Sequence, residues 1–331
     1  MDRQQRVGLI REIEQHLGSR VICYVTGDRE NVNTRVAPDI VRVFFQHLEK
    51  MGHHPRIDLF LYTRGGDVLT PWRLVNLIRE YSPYFGVLVP FRAYSAGTLI
   101  CLGADEILMG CMGELGPIDP SVANAFNPQD PNNPVARIPV SVEDVFSYLA
   151  LAREKAALRG EAELVEVFRL LTERVHPLAL GNVHRNYALI RSLARKLLLL
   201  RQASQPEAVI QEIIDNLTEK LYAHNHMISR REALKDVRLP VVHPALAVEK
   251  AMWKLYEGYE SYLKLPDPFN PVAILKDHEQ QVEFDVIGGI IETSELAHGF
   301  VFSGTVARTG VNLDGTPKVG VTMLRQTWQQ I

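Results

Sequence analysis

The sequence is short of cysteine, of net charge and of long apolar runs, and each shortage removes a class of protein. Its three cysteines, Cys23, Cys101 and Cys111, are odd in number and form no Cys-x-x-Cys pair. That argues against a disulfide framework or a structural zinc site and for a reducing compartment. A net charge of −3 gives no electrostatic case for nucleic acid or an anionic membrane as partner. No window reaches the roughly eighteen uninterrupted apolar residues of a membrane span. The polar start Met1-Asp2-Arg3-Gln4-Gln5-Arg6 is not followed by a signal-like apolar core. A cytoplasmic protein with no transmembrane segment is therefore expected. The Gly-x-x-x-x-Gly-Lys-[Ser/Thr] pattern of an ATPase is missing too. His53-His54 and His224-Asn225-His226 have no third ligand at metal-binding spacing, so an exposed loop is the better reading for the first and a structural turn before a late helix for the second.

What remains is ordinary globular material, 46% hydrophobic and 23% charged over 331 residues. That length holds a sizeable core and one large α/β domain with an extension. The organising stretch runs from Ile57 to Asp119. Apolar runs at Ile57–Tyr62, Phe85–Pro90 and Glu106–Met109 alternate with helix-length amphipathic segments, the pattern of βαβ units in a buried parallel sheet. Gly65-Gly66-Asp67 follows the first run and Ser95-Ala96-Gly97 follows the second, each just before a helix. Ligands of such sheets gather at the carboxyl ends of strands, where helix N-termini supply free N–H groups. Paired glycines let a backbone approach closely, and a serine beside them adds a hydroxyl. Backbone donors with a hydroxyl nucleophile are the minimum kit for acyl transfer. The bland alternative for Ser95 is a helix N-cap.

These loops carry a resemblance. Tyr62-Thr63-Arg64-Gly65-Gly66-Asp67, then Tyr94-Ser95-Ala96-Gly97-Thr98 thirty residues after Gly65, resemble the ClpP/crotonase superfamily on its serine-peptidase side. The nearest branch is the serine dehydrogenase proteinase family, related to signal peptide peptidase A. Gly103-Ala104-Asp105-Glu106-Ile107, Gly116-Pro117-Ile118-Asp119-Pro120, His176-Pro177-Leu178-Ala179-Leu180-Gly181 and Ile228-Ser229-Arg230-Arg231-Glu232-Ala233 fit the same branch. The resemblance covers residues 20–245 and implies a repeated ββα spiral fold with helical arms. It implies Ser95 as nucleophile, the N–H groups of Gly66 and Ala96 as oxyanion hole, and Gly65, Asp67 and Gly97 at the substrate. It also implies a peptide or protein substrate, a homo-oligomer and no cofactor. The context is not the Gly-x-Ser-x-Gly elbow of α/β-hydrolases, because Ala93 stands at the first glycine. For Asp67 a cap for the helix that follows is the preferred reading over a catalytic role.

The general base is open. Where Clp-type proteases carry a histidine, Leu115-Gly116-Pro117-Ile118-Asp119-Pro120 has none. Signal-peptide peptidases use a downstream lysine instead, and Lys155, sixty residues after Ser95, is the candidate. Neighbouring apolar and small residues would desolvate its amine and lower its pKa. Arg153 and Glu154 beside it allow a plain surface lysine. The rivals are His176, His184 and Lys196.

Elsewhere, Val7, Ile10, Ile13 and Leu17 predict a helix over residues 3–17, and Ile40, Val41, Phe44, Phe45 and Leu48 form the apolar face of another. Residues 124–139, rich in Pro, Asn and Asp, read as a loop without regular structure. Helices dominate from Val142 to Lys220, Ser229 with Glu232 fits a capping box, and Val237–Val242 reads as a last strand. The organisation expected is a peptidase domain over 1–245, then a C-terminal helix plus a small β extension over 246–331. Two other readings use the same residues: a crotonase-like acyl-CoA enzyme, and a non-catalytic scaffold.

Overall fold

Apolar runs bounded by glycine and polar turns become the strands of one sheet, and the amphipathic segments between them cover its faces. The structure, a computed structural model, describes residues 1–118, 121–122, 124–130, 133–219, 226–275, 280–311 and 317–331. Asp119, Pro120, Lys220, His224 and Asn225, named above, lie outside the described residues. Helix α1 (Arg3–Leu17) starts on a capping box between Asp2 and Gln5 and ends on Gly18 in the left-handed region. It leads to β1 (Arg20–Thr26), α2 (Ile40–Met51), β2 (Arg56–Tyr62), α3 (Thr70–Tyr81), β3 (Tyr84–Val89), β4 (Arg92–Ala93), α4 (Ala96–Leu102), β5 (Glu106–Met109) and β6 (Glu114–Leu115). Then come β7 (Ser121–Val122), β8 (Gln129–Asp130), β9 (Asn133–Arg137), β10 (Val140–Ser141), α5 (Val142–Ala150), α6 (Glu161–Arg174), α7 (Pro177–Leu198) and α8 (Glu207–Thr218). The chain closes with β11 (Ile228–Ser229), α9 (Arg230–Lys235), β12 (Val241–Val242), α10 (Leu246–Leu263), β13 (Gln281–Glu292), β14 (Ala297–Val311) and β15 (Pro317–Gln330).

Contacts divide the chain into two units: residues 1–115, 197–204 and 227–331 form the first, and 116–196 with 205–226 the second. The first unit is built on an eight-stranded mixed sheet of order β12-β5-β3-β2-β1-β13-β14-β15. Its strands from β12 to β1 are parallel, and β13 to β15 join β1 antiparallel. The β segment expected after residue 280 is thus three long strands that continue the central sheet. The last strand expected over Val237–Val242 is confined to Val241–Val242, at the sheet edge beside Ile107 and Leu108.

Both faces of the parallel part are buried, which is why its strands read as unbroken apolar runs. Val21, Cys23 and Val25 pack with Ile10 and Ile13 of α1 and with Leu255, Tyr256 and Tyr259 of α10. Tyr24 points to the other face, edge-on to Phe44 of α2. The buried stripe of α2 is Ile40, Val43, Phe44, His47 and Leu48, whereas Phe45 is 45% exposed. Periodicity placed Phe45 inside because it counted apolar residues alone. A 3.6-residue turn puts His47, three beyond Phe44, on the buried stripe instead.

His47 is buried against His298 of β14, with Nε2 3.0 Å from Nδ1. Burial pushes the pKa of His47 down to about 3. On the α1 side, Arg6 donates to both carboxylate oxygens of Glu292, at 2.7 and 3.1 Å, with both side chains buried. The Tyr259 hydroxyl donates to the same carboxylate at 2.9 Å. This group joins α1, α10 and β13.

In the second unit, residues 124–139 depart from the expected loop: β8 and β9 pair antiparallel, Gln129 opposite Arg137. Asn127 steadies this segment by donating to the Ile138 carbonyl at 2.9 Å, a side-chain bond that composition does not reveal. Val142 and Val183 form a small core there.

Two outcomes follow. Glu292→Ala strands a buried guanidinium and lowers stability by roughly 3–5 kcal/mol, while the joint change Arg6→Met with Glu292→Leu recovers most of it. Denaturant melts of the three proteins measure this. Separately, His47 has a folded pKa below its ordinary 6.5, so the unfolded chain binds the extra proton. Its contribution is full above pH ~6.5 and falls as pH drops toward ~3, by up to about 1.4 kcal/mol per pH unit. A wild-type stability curve no steeper over that window than that of His47→Gln refutes this.

Candidate active site

The site is assembled where β2 and β4 end. Thr63 and Ala93 form a parallel bridge, with Thr63 N–H donating to the Arg92 carbonyl at 2.9 Å and Tyr94 N–H to the Thr63 carbonyl at 3.0 Å. This puts the Gly65-Gly66 turn beside the Ser95-Ala96 turn. A β carbon on Gly65 would lie 2.8 Å from Ser95 Cβ and 3.3 Å from Ala96 N, so the turns touch only because residue 65 has no side chain. Gly65 also has φ +104°, a conformation that favours glycine.

Gly66 is held from a third segment. Val36 N–H donates to the Gly65 carbonyl at 2.9 Å, and Asp67 N–H donates to the Val36 carbonyl at 2.8 Å. A β carbon on Gly66, at φ +153°, would stand 2.1 Å from the Val36 oxygen. Beneath the turn, buried Thr63 accepts through Oγ1 from Gly65 N–H at 3.0 Å and from Thr26 Oγ1 at 2.8 Å. These bonds pass over the Gly66 N–H. Among the described residues, neither Gly66 N–H nor Ala96 N–H has an acceptor.

Ser95 sits at φ 52°, ψ −108°, a costly backbone for a residue with a β carbon. Its hydroxyl makes no capping bond to α4. Gly97 is buried where a β carbon would press within 2.6 Å of Thr63 Cγ2, so it makes room beneath the turn. Asp67 Oδ2 accepts from Leu69 N–H, Thr70 N–H and Thr70 Oγ1 at 3.1, 2.7 and 2.7 Å, the helix-starting arrangement read from its position.

Around this centre, Arg64 pairs with Asp28 at 2.8 Å. Tyr94 donates to Glu114. Burial, reinforced by that bond, pushes the Tyr94 phenol up to about 12, so it stays protonated at neutral pH. No lysine, histidine or carboxylate among the described residues is hydrogen-bonded to Ser95 Oγ.

Residues 1–165 match the family model of ClpP-like SDH-type serine proteinases. The chain belongs to that family. Two proteins of Methanocaldococcus jannaschii are similar to it. Uncharacterized protein MJ1495 is 32% identical over 126 residues, 36% of this chain and 42% of that protein. Uncharacterized protein MJ0137 is 41% identical over 66 residues, 20% of this chain and 23% of that protein. The matched stretches thus span less than half of either relative.

The four candidate bases all fall in the second unit. Lys155 is exposed at the end of a π-helical turn, Leu151–Lys155. His176 commits Nδ1 to the Leu178 N–H at 3.1 Å and stacks on Phe126. His184 borders an apolar groove of about 370 Å³ with Phe146, Leu149 and Phe168. Lys196 lies in α7. Among the described residues no group of three or more metal-ligating side chains occurs, and no helix is long and apolar enough to cross a membrane.

Sequence reasoning missed Val36 and Thr63. Thr63 stood inside the quoted motif, and a hydroxyl closing an apolar strand was its signal. Val36 carried no signal, because it works through its backbone.

The geometry predicts opposite signs at two neighbouring sites. Ser95→Gly relieves the positive φ and raises stability by about 1 kcal/mol. Gly66→Ala drives a methyl into the Val36 carbonyl and costs roughly 1–3 kcal/mol. Thermal melts of both variants read the signs, and a stabilised Gly66→Ala contradicts the geometry.

Proposed function

We propose that this protein is a serine peptidase in which Ser95 is the nucleophile. Ser95 Oγ attacks a peptide carbonyl, and the oxygen that gains negative charge is held by the N–H groups of Gly66 and Ala96. The tetrahedral adduct collapses, the amine leaves with a proton, and water then hydrolyses the ester on Ser95. One observation carries the reading: two N–H groups without acceptors stand on touching turns, one of them next to a strained serine whose hydroxyl caps nothing. A serine placed only to cap has no use for that backbone, so the strain supports a chemical role.

Lys155 is our proposed proton acceptor, on the resemblance to signal-peptide peptidases. Its place on a π-helical turn supports this, since such turns recur at functional sites. His176, His184 and Lys196 are the alternatives. The fold is read as the repeated ββα spiral of the ClpP/crotonase type, and the protein as a cytoplasmic homo-oligomer acting on peptide or protein substrates. Gly65, Asp67 and Gly97 would border the substrate. The chemistry asks for no cofactor.

A fluorophosphonate probe with mass-spectrometric mapping tests the assignment. Ser95 should be labelled in the wild type, Ser95→Ala should not label, and Lys155→Ala should label at least about 100-fold more slowly, the scale of lost acid–base catalysis. Labelling retained in Lys155→Ala moves the base to one of the alternatives. A folded wild type that never labels sinks the peptidase reading, and coenzyme A binding by calorimetry then separates an acyl-CoA enzyme from a scaffold.

A further inference from the structure

The C-terminal strands lie in the same unit as the Gly65-Gly66 turn, and one loop touches both. That loop, residues 27–36, leaves β1 and ends at Val36. Its near end is fastened to β13 at a bulge where the pairing with β14 shifts between Ile287 and Gly289. The Gly288 carbonyl at the bulge accepts two bonds from the loop, from Gly27 N–H at 2.8 Å and from Thr34 Oγ1 at 3.0 Å. Thr34 N–H closes the loop on the Gly27 carbonyl at 2.8 Å.

The contact is as close at the bulge as at the turn. A β carbon on Gly288 would lie 2.6 Å from the Val32 oxygen and 2.3 Å from the Phe302 ring, and one on Gly289 would lie 2.7 Å from Thr34 Oγ1. The paired glycines of β13 therefore answer the paired glycines of the site. At the far end, two residues after Thr34, Val36 bonds to both flanks of Gly66 and leaves its N–H free. A bulge re-aims backbone groups and ends regular pairing, and here the re-aimed group is the carbonyl that receives the loop.

We propose that strand β13 positions the oxyanion turn: Thr34 and Gly288 are positioning residues that act on Gly66 through Val36. The inference rests on the peptidase reading for its catalytic consequence. A backbone donor is useful only if it stays where charge develops, and a misplacement of about 1 Å can cost on the order of 100-fold in rate. A single carbonyl with two donors, relayed by a short loop, restrains the turn without touching substrate.

Thr34→Val removes the hydroxyl and keeps the shape, and Thr34→Ser keeps the hydroxyl as the conservative control. Gly288→Ala is the stronger perturbation. The full chain of each is compared by Ser95 labelling rate with the fluorophosphonate probe, by exchange of the Asp67 amide, and by melting temperature. Thr34→Val should label about tenfold more slowly, part of the loss that full misplacement brings. Its Asp67 amide should exchange faster while amides within β2 do not, and its melting temperature should stay close to wild type. Thr34→Ser should behave as wild type. Gly288→Ala, if folded, should exceed the Thr34→Val effect. Labelling and Asp67 exchange unchanged in Thr34→Val overturn the inference, as does a slowing that appears equally in Thr34→Ser. A wild type that does not label overturns the peptidase reading instead, and the Asp67 exchange alone then decides whether β13 restrains the turn.

Discussion

Backbone meets backbone at Gly66 with no room for a β carbon, and the arrangement of the site depends on that approach. Val36 bonds on either side of the glycine, and Gly65 in turn lies against Ser95 and Ala96. Segments from three places in the chain are thus held within hydrogen-bond reach. Any side chain at position 65 or 66 would push them apart by an ångström or more. The strain at Ser95 persists because the turns that impose it are anchored in the sheet on both sides.

The anchoring comes from a sheet with both faces buried and its ends tied down. Helices α1 and α10, far apart in the sequence, cover one face together. Their joint is the buried carboxylate of Glu292, satisfied by Arg6 and Tyr259. A charge there is tolerable only because every partner is present. The same strand, β13, carries Glu292 near one end and the Gly288-Gly289 bulge further in. One element therefore ties α1 and α10 into the core and receives the loop that reaches the site.

The second unit has another character. Phe146, Val165 and Phe168 of α5 and α6 are partly exposed around a groove of about 650 Å³, whereas Ile190 and Leu193 of α7 and Ile210, Ile213 and Leu217 of α8 are buried. The proposed nucleophile, Ser95, and its backbone donors belong to the first unit and the proposed base to the second. A hydroxyl with donors is a local backbone construction, whereas a base can be supplied by any side chain that reaches.

Sequence by itself determined the alternation of strand and helix, the two glycine–serine turns and the family, because these depend on residues close together in the chain. Periodicity exposes buried strands, and only glycine serves where the backbone must turn with φ positive or come close. Asp67 as a helix start and Ser229 as a cap were legible for the same local reason. Only the tertiary structure decided that Val36 flanks Gly66, that His47 faces His298, and that the last strands extend the central sheet. Those are pairings across long stretches of chain, made through main-chain groups that every residue carries, and so no residue type announces them.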